Sequence, residues 1–227
     1  MMMSLLTLFR RQFRREMLIH LRQPRLLFQA ALFFLMVAVF FPLTMPPDII
    51  LLRTVAPGLV WIAMLLAMLL ASVGLFQQDY EDGVVEQWLI SGYPLSVIVG
   101  AKILVHWLLN LIPMLIFCPL LALLFNLTAY ETTILLCSLI VGTPAILFLC
   151  ALAAAFSAGM QQKGVLMALI LLPLTIPVMV FGSGSLTAVM QGLPVLGYLA
   201  LLLALSILAV GFLPFAIAAV IRISLAE

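Results

Sequence analysis

The chain has 227 residues, of which 67% are apolar and only 8% are Asp, Glu, Lys or Arg, with a net charge of +2. Soluble domains carry roughly 25% charged residues, and no soluble fold of this length has interior enough for so much apolar side chain. The class that remains is an all-α polytopic membrane protein, because helices satisfy their backbone hydrogen bonds internally; a transmembrane β-barrel would show short alternating segments instead of long apolar runs.

Residues 4–23 form the first unit. Leu5, Leu6, Phe9, Phe13, Met17 and Leu21 recur at helical spacing, with Arg11, Arg15 and Arg22 opposite and Arg10 and Arg14 at the border. This pattern predicts an amphipathic helix in the headgroup layer, drawn to anionic lipid by its arginines. Pro24 gives it a stop. Glu16 and His20 interrupt the apolar face four residues apart, a spacing at which they could pair.

Six transmembrane helices follow from a window of about 20 apolar residues: 26–43, 55–76, 97–125, 133–156, 165–181 and 196–221. The third is longer than a bilayer needs, so it is tilted, kinked at Pro113 or extended into the cytoplasm. Further prolines, Pro119, Pro144, Pro173, Pro177 and Pro214, each remove a backbone donor and bend a helix. The pair in the fifth span reads either as kinks that membrane helices tolerate or as a flexible element. Ala63, Ala67, Ala71 and Gly74 make a small-residue stripe that admits a close neighbour, from this chain or from another copy. Cys118, Cys137 and Cys150 fall within spans without paired spacing and read as small buried apolar residues.

Between the second and third spans lies residues 77–96, a cytoplasmic coupling segment. Four of the eight acidic residues, Asp79, Glu81, Asp82 and Glu86, fall within residues 77–88. Such a concentration of carboxylates predicts a docking surface for a soluble partner. A short helix is expected over 79–88, with Asp79, Glu81 and Asp82 at its N-terminus, where negative charge is favourable. Val84, Val85 and Trp88 would supply apolar contact to the partner, and Glu86 and Gln87 polar contact. Gly83 permits close approach but weakens a helix by roughly 1 kcal/mol. The outer loops, 44–54, 126–131 and 182–195, are too short for a catalytic site. The last is uncharged and apolar enough to re-enter the membrane.

Orientation follows from Lys and Arg. With the N-terminus inside, Arg10, Arg11, Arg14, Arg15, Arg22, Arg25, Lys102, Lys163 and Arg222 are cytoplasmic and Arg53 alone is outside, nine of the ten cations. Both termini are then cytoplasmic and residues 1–227 form a single transmembrane domain without a cleavable signal.

The chain carries no phosphate-binding loop, so it is not expected to hydrolyse ATP itself. It has no Cys-x-x-Cys-His for haem attachment. A bis-histidine site would require His20 and His106 to meet, and they lie on different elements. Lys102, His106 and Asn110 share a face of the third span. A lysine at membrane depth costs about 2.5–3.5 kcal/mol, but Lys102 is near the cytoplasmic end and can snorkel. The face is read either as an anchor with a hydrogen-bonded histidine above it or as a subunit interface or transit path. No catalytic residue, resident cofactor, metal ligand or nucleic-acid surface is assigned. An intramembrane enzyme would need acids, or serine with histidine or lysine, at membrane depth, and the acids are read as lying outside the spans.

Several runs carry a resemblance: Arg53-Thr54-Val55-Ala56-Pro57-Gly58-Leu59-Val60-Trp61, Glu81-Asp82-Gly83-Val84-Val85-Glu86-Gln87, Ala101-Lys102-Ile103-Leu104-Val105-His106-Trp107, Gly142-Thr143-Pro144 and Leu172-Pro173-Leu174-Thr175-Ile176-Pro177. In order and spacing they resemble the CcmB family, membrane subunits of the ABC-type haem exporter of bacterial cytochrome c maturation. The resemblance covers essentially the whole chain. It departs at Gln161-Gln162-Lys163-Gly164, where a more basic, glycine-paired turn is expected. It implies an ABC-2-type permease-like fold in the bacterial inner membrane, two copies per complex, and a cytosolic ABC ATPase subunit that binds ATP and docks at the inner face. A haem-handling membrane subunit and a small adaptor join the same assembly, with haem as cargo of the complex. The implied task is haem export, or ATP-driven release of a haem-loaded periplasmic chaperone. The alternative is an ABC-2 permease for a lipid or polysaccharide.

Overall fold

The computed structural model describes residues 4–22, 24–158 and 163–224, with side chains described outside 24–27 and 163–170. Gln161 and Gln162, where the resemblance departs, lie outside the described residues. Among the described residues the chain is all helical: α1 Leu5–Leu21, α2 Pro24–Thr44, α3 Ile49–Ser72, α4 Gln77–Glu81, α5 Val84–Ile90, α6 Leu95–Leu124, α7 Ala129–Ser157, α8 Lys163–Met190 and α9 Leu196–Ser224. Five of these, α3, α6, α7, α8 and α9, are long and apolar enough to cross a membrane, and α2 is apolar over Phe28–Thr44.

Several helices start where polar caps meet their free N–H groups. Ser4 Oγ accepts from the Thr7 N–H at 3.3 Å, and Asp48 Oδ1 accepts from the Ile50 N–H at 2.9 Å. Thr128 and Glu131 form a reciprocal capping box at α7, the arrangement that satisfies two such donors at once. The prolines expected to bend spans lie inside continuous helices, Pro173 and Pro177 both within α8.

Three sequence expectations change. Residues 182–190 are not loop or re-entrant piece: they continue α8, and the connection to α9 shrinks to 191–195. Their serines and threonine satisfy themselves within the helix, Ser183 Oγ donating to the Met179 carbonyl at 2.8 Å and Thr187 Oγ1 to the Ser183 carbonyl at 3.0 Å. The single helix expected over 79–88 is two, broken at Gly83, whose φ of +66° is left-handed; side chains disfavour that region, so glycine ends one helix and opens the next. Cys137 is exposed, whereas Cys118 and Cys150 are buried as expected.

α7 is the hub of the bundle, packed along α8 and α9 and also against α6 and α3. α2 lies on α3 and α6, and α1 lies chiefly on α6. Ala63 and Ala67 are fully buried, so this part of the small-residue stripe faces helices of this same chain, whereas Ala71 is half-buried and Gly74 exposed. At the core, the Trp61 indole of α3 sits against two glycines: a Cβ on Gly142 of α7 would come within 2.6 Å of it and one on Gly182 of α8 within 2.3 Å. One end of the bundle is tied by Arg53 of α3, which pairs with Glu131 of α7 at 2.6 Å and also donates to the Asn126 carbonyl. At the other end Tyr80 Oη of α4 meets Ser224 Oγ of α9 at 2.5 Å. The end of α9, the acidic segment and α1 therefore share one end of the molecule.

Candidate functional site: a buried charge cluster beneath the acidic segment

The site is assembled by α1, the end of α3, α4 and the first turns of α6. Lys102 of α6 is 7% exposed. Its Nζ lies 2.6 Å from Asp79 Oδ2 of α4 and 3.6 Å from Glu16 Oε2 of α1. The expected snorkelling lysine is therefore a buried cation held between carboxylates from two other elements. Glu16 is only 2% exposed, and takes a hydrogen bond from Gln12 Nε2 at 2.8 Å, while the more exposed Arg15 stands 3.9 Å away. Two cations and two carboxylates balance one another, the condition under which ionised groups persist inside a protein.

Glu16 does not pair with the His20 side chain across one turn. His20 Nδ1 instead lies 3.0 Å from the Glu16 backbone carbonyl. The His20 ring turns to His106, with centroids 5.7 Å apart and planes at 66°. The two histidines that sequence kept on separate elements thus meet, because Glu16 stands beside Lys102 and His20 beside His106, so that α1 runs in the same direction as this part of α6. The matching four-residue spacings, 16 to 20 and 102 to 106, were visible in the sequence; their alignment was not. On α6, Asn110 Nδ2 donates to the His106 carbonyl at 2.8 Å and lies 3.3 Å from His106 Nε2. Lys102, His106 and Asn110 do share one face, and it is buried.

This face borders a cavity of about 370 Å³, whose polar lining includes His20, Gln29, Gln78, Asp79, Lys102 and His106. The apolar face expected on α1 is divided: Leu8 and Glu16 are buried and Phe9, Phe13 and Met17 half-buried, while Leu5, Leu6 and Leu21 are exposed. Among the described residues, no group of three His, Cys, Asp or Glu side chains is arranged to hold a metal ion.

The residues expected to dock a partner divide into two sets. Asp79 is committed to Lys102, and Val85 and Trp88 are buried in the chain's own core. The apolar contact foreseen for a partner is thus largely an internal anchor that fixes α5 to the bundle. Glu81, Asp82, Glu86 and Gln87 are exposed, and Gly83 lies half-buried between them. Ile90, at the end of α5, is 85% exposed. What α4 and α5 present is an acidic outer surface on a pair of short helices anchored from below.

Comparison with known proteins gives matches over almost the full length. The family model described as "CcmB protein" matches residues 3–224. A protein named "Heme exporter protein B" from Pseudomonas aeruginosa is 46% identical over 213 residues, covering 94% of this chain and 96% of that one. Proteins of the same name from Haemophilus influenzae, 40% identical over 93% of this chain and 96% of the relative, and from Escherichia coli K12, 39% identical over 96% and 99%, are similar throughout. With a family match across nearly all of its residues and relatives well above 30% identity, the chain belongs to the CcmB family.

Proposed function

We propose that this chain is the transmembrane subunit of an ABC transporter complex that serves haem export, or ATP-driven release of a haem-loaded periplasmic chaperone, during biogenesis of c-type cytochromes. The observation that carries the reading is the family relationship across residues 3–224, with relatives named for haem export. The chain itself performs no catalysis. ATP is bound and hydrolysed by a cytosolic ABC ATPase subunit that docks on Glu81, Asp82, Glu86 and Gln87, the exposed acids and amide of the segment 77–96. Two copies, a haem-handling membrane subunit and a small adaptor complete the assembly in the bacterial inner membrane. Six crossings with both termini cytoplasmic fit this role, with α2, 21 residues and therefore about 32 Å long, as the sixth.

The reading is tested by removing the chain from its native cell and restoring it. Covalent haem attachment to c-type cytochromes should stop without the chain and return with it, while export of the unmodified apocytochromes continues. Normal holocytochrome levels in its absence would refute the assignment.

A further inference from the structure

α4 is a five-residue helix held between two left-handed glycines, Gly74 at φ +84° and Gly83 at φ +66°. Both are conformations that favour glycine, so the covalent path from α4 to the long helix α3 passes through a tight turn and not through a continuous rod. The side-chain path is more direct. Asp79, in the first turn of α4, makes a 2.6 Å ion pair with Lys102, and the same ammonium reaches Glu16 of α1. We infer that Lys102 is a positioning residue that joins the acidic segment to α1 as well as to α6, so that displacement of α4 by a docked subunit moves α1. The inference rests on the reading of the acidic segment as the docking surface.

The chemistry of the residue suits the role. A lysine ammonium is a compact point charge that can face two carboxylates at once, here as ion pairs at 2.6 Å to Asp79 and 3.6 Å to Glu16. Glu16 and Lys102 are both more than nine-tenths buried, so solvent screens their attraction little. The cavity of about 370 Å³ beside them gives α4 and α1 space to shift without unpacking the bundle, where close-packed interiors otherwise resist.

The test uses the complete complex in membranes, with Cys118, Cys137 and Cys150 replaced and Met17→Cys as reporter on the half-buried side of α1. Its maleimide labelling is timed with and without a non-hydrolysable ATP analogue. In the parent, the analogue should change the rate by about fivefold or more. Glu16→Gln removes the carboxylate that α1 offers to Lys102, along with its longer contact to Arg15, and leaves Lys102 paired with Asp79. It should bring the change below about twofold while the ATPase subunit still co-purifies. Lys102→Arg, which keeps the charge, should retain the response. If Glu16→Gln reduces insertion, Asp79→Asn severs the other arm and should lose the response in the same assay. A full response in either severed variant overturns the inference, as does a parent that binds the ATPase yet shows no change. A parent that fails to retain the ATPase overturns the docking reading and this inference with it.

Discussion

Trp61 is the largest fully buried side chain of the bundle, and it fits only because Gly142 and Gly182 lack side chains. A methyl group at Gly182 would stand 2.3 Å from the indole, far inside van der Waals contact, and a ring locked between three helices has no free end to swing away. Gly182→Ala should therefore destabilise the protein by about 1–3 kcal/mol, the usual cost of overpacking, and lower the melting temperature in detergent. Trp61→Phe in the same background should recover part of the loss, because the smaller ring vacates the contested space. An unchanged melting temperature for Gly182→Ala would show that the helices yield. Gly142 and Trp61 both fall in runs that carry the family resemblance, but Gly182 reads as loop. Their meeting is tertiary, between helices distant along the chain, and leaves no local period. Lys102 was misjudged for the same reason: on its own helix it has a short route to water, and its partners Asp79 and Glu16 belong to α4 and α1.

The acidic segment divides its labour between the two sides of α5. Trp88 and Val85 face inward and hold the element to the bundle, while Glu86 and Gln87 face out. Substitutions one turn or less apart should then fail in different ways. Glu86→Lys should leave insertion and thermal stability intact but release the ATPase subunit, since disrupting a charge pair buried at an interface costs about 2–5 kcal/mol; a pull-down from solubilised membranes reads it. Trp88→Ala should lower the stability of the chain itself by about 3–5 kcal/mol, with or without the ATPase, because it opens a cavity under α5. If Glu86→Lys keeps its partner and supports cytochrome c maturation, these carboxylates do not form the docking surface. Concentrated charge in an apolar chain made the segment legible, and its residue types made helix legible too. The break was not, because Gly83 was weighed as a poor helix former and its left-handed conformation satisfies a different need, turning the chain between α4 and α5. The inward side was hidden because Val84 and Trp88 share a helical side equally well with a partner or with the core.

At the scale of the whole molecule, apolar run length located the five helices long and apolar enough to cross a membrane, since a helix in lipid must satisfy its backbone internally. It failed at 182–190, where glycines and hydroxyls resemble a loop although the hydroxyls bond to carbonyls one turn back. That difference moves the topological test. Ser185 is fully buried within α8, so the exposed residue for probing the α8–α9 connection is Gln191. On a background without Cys118, Cys137 and Cys150, Ile90→Cys at the end of α5 should react with a membrane-impermeant maleimide only from the cytoplasmic side. Gln191→Cys should react only from the periplasmic side. The first rests on the basic residues flanking the acidic segment and the α9 C-terminus, where Arg222 is exposed and Ser224 meets Tyr80; cations favour the cytoplasmic side. The second follows because α8 connects the two ends of the bundle. Arg53, paired with Glu131 at the opposite end, is compatible with that side because its charge is neutralised within the chain. Labelling of Ile90→Cys from the periplasm alone would invert the molecule and remove the docking surface from the ATPase's compartment. Labelling of both positions from one side would show that the number of crossings between them is even, contrary to the three proposed for α6, α7 and α8.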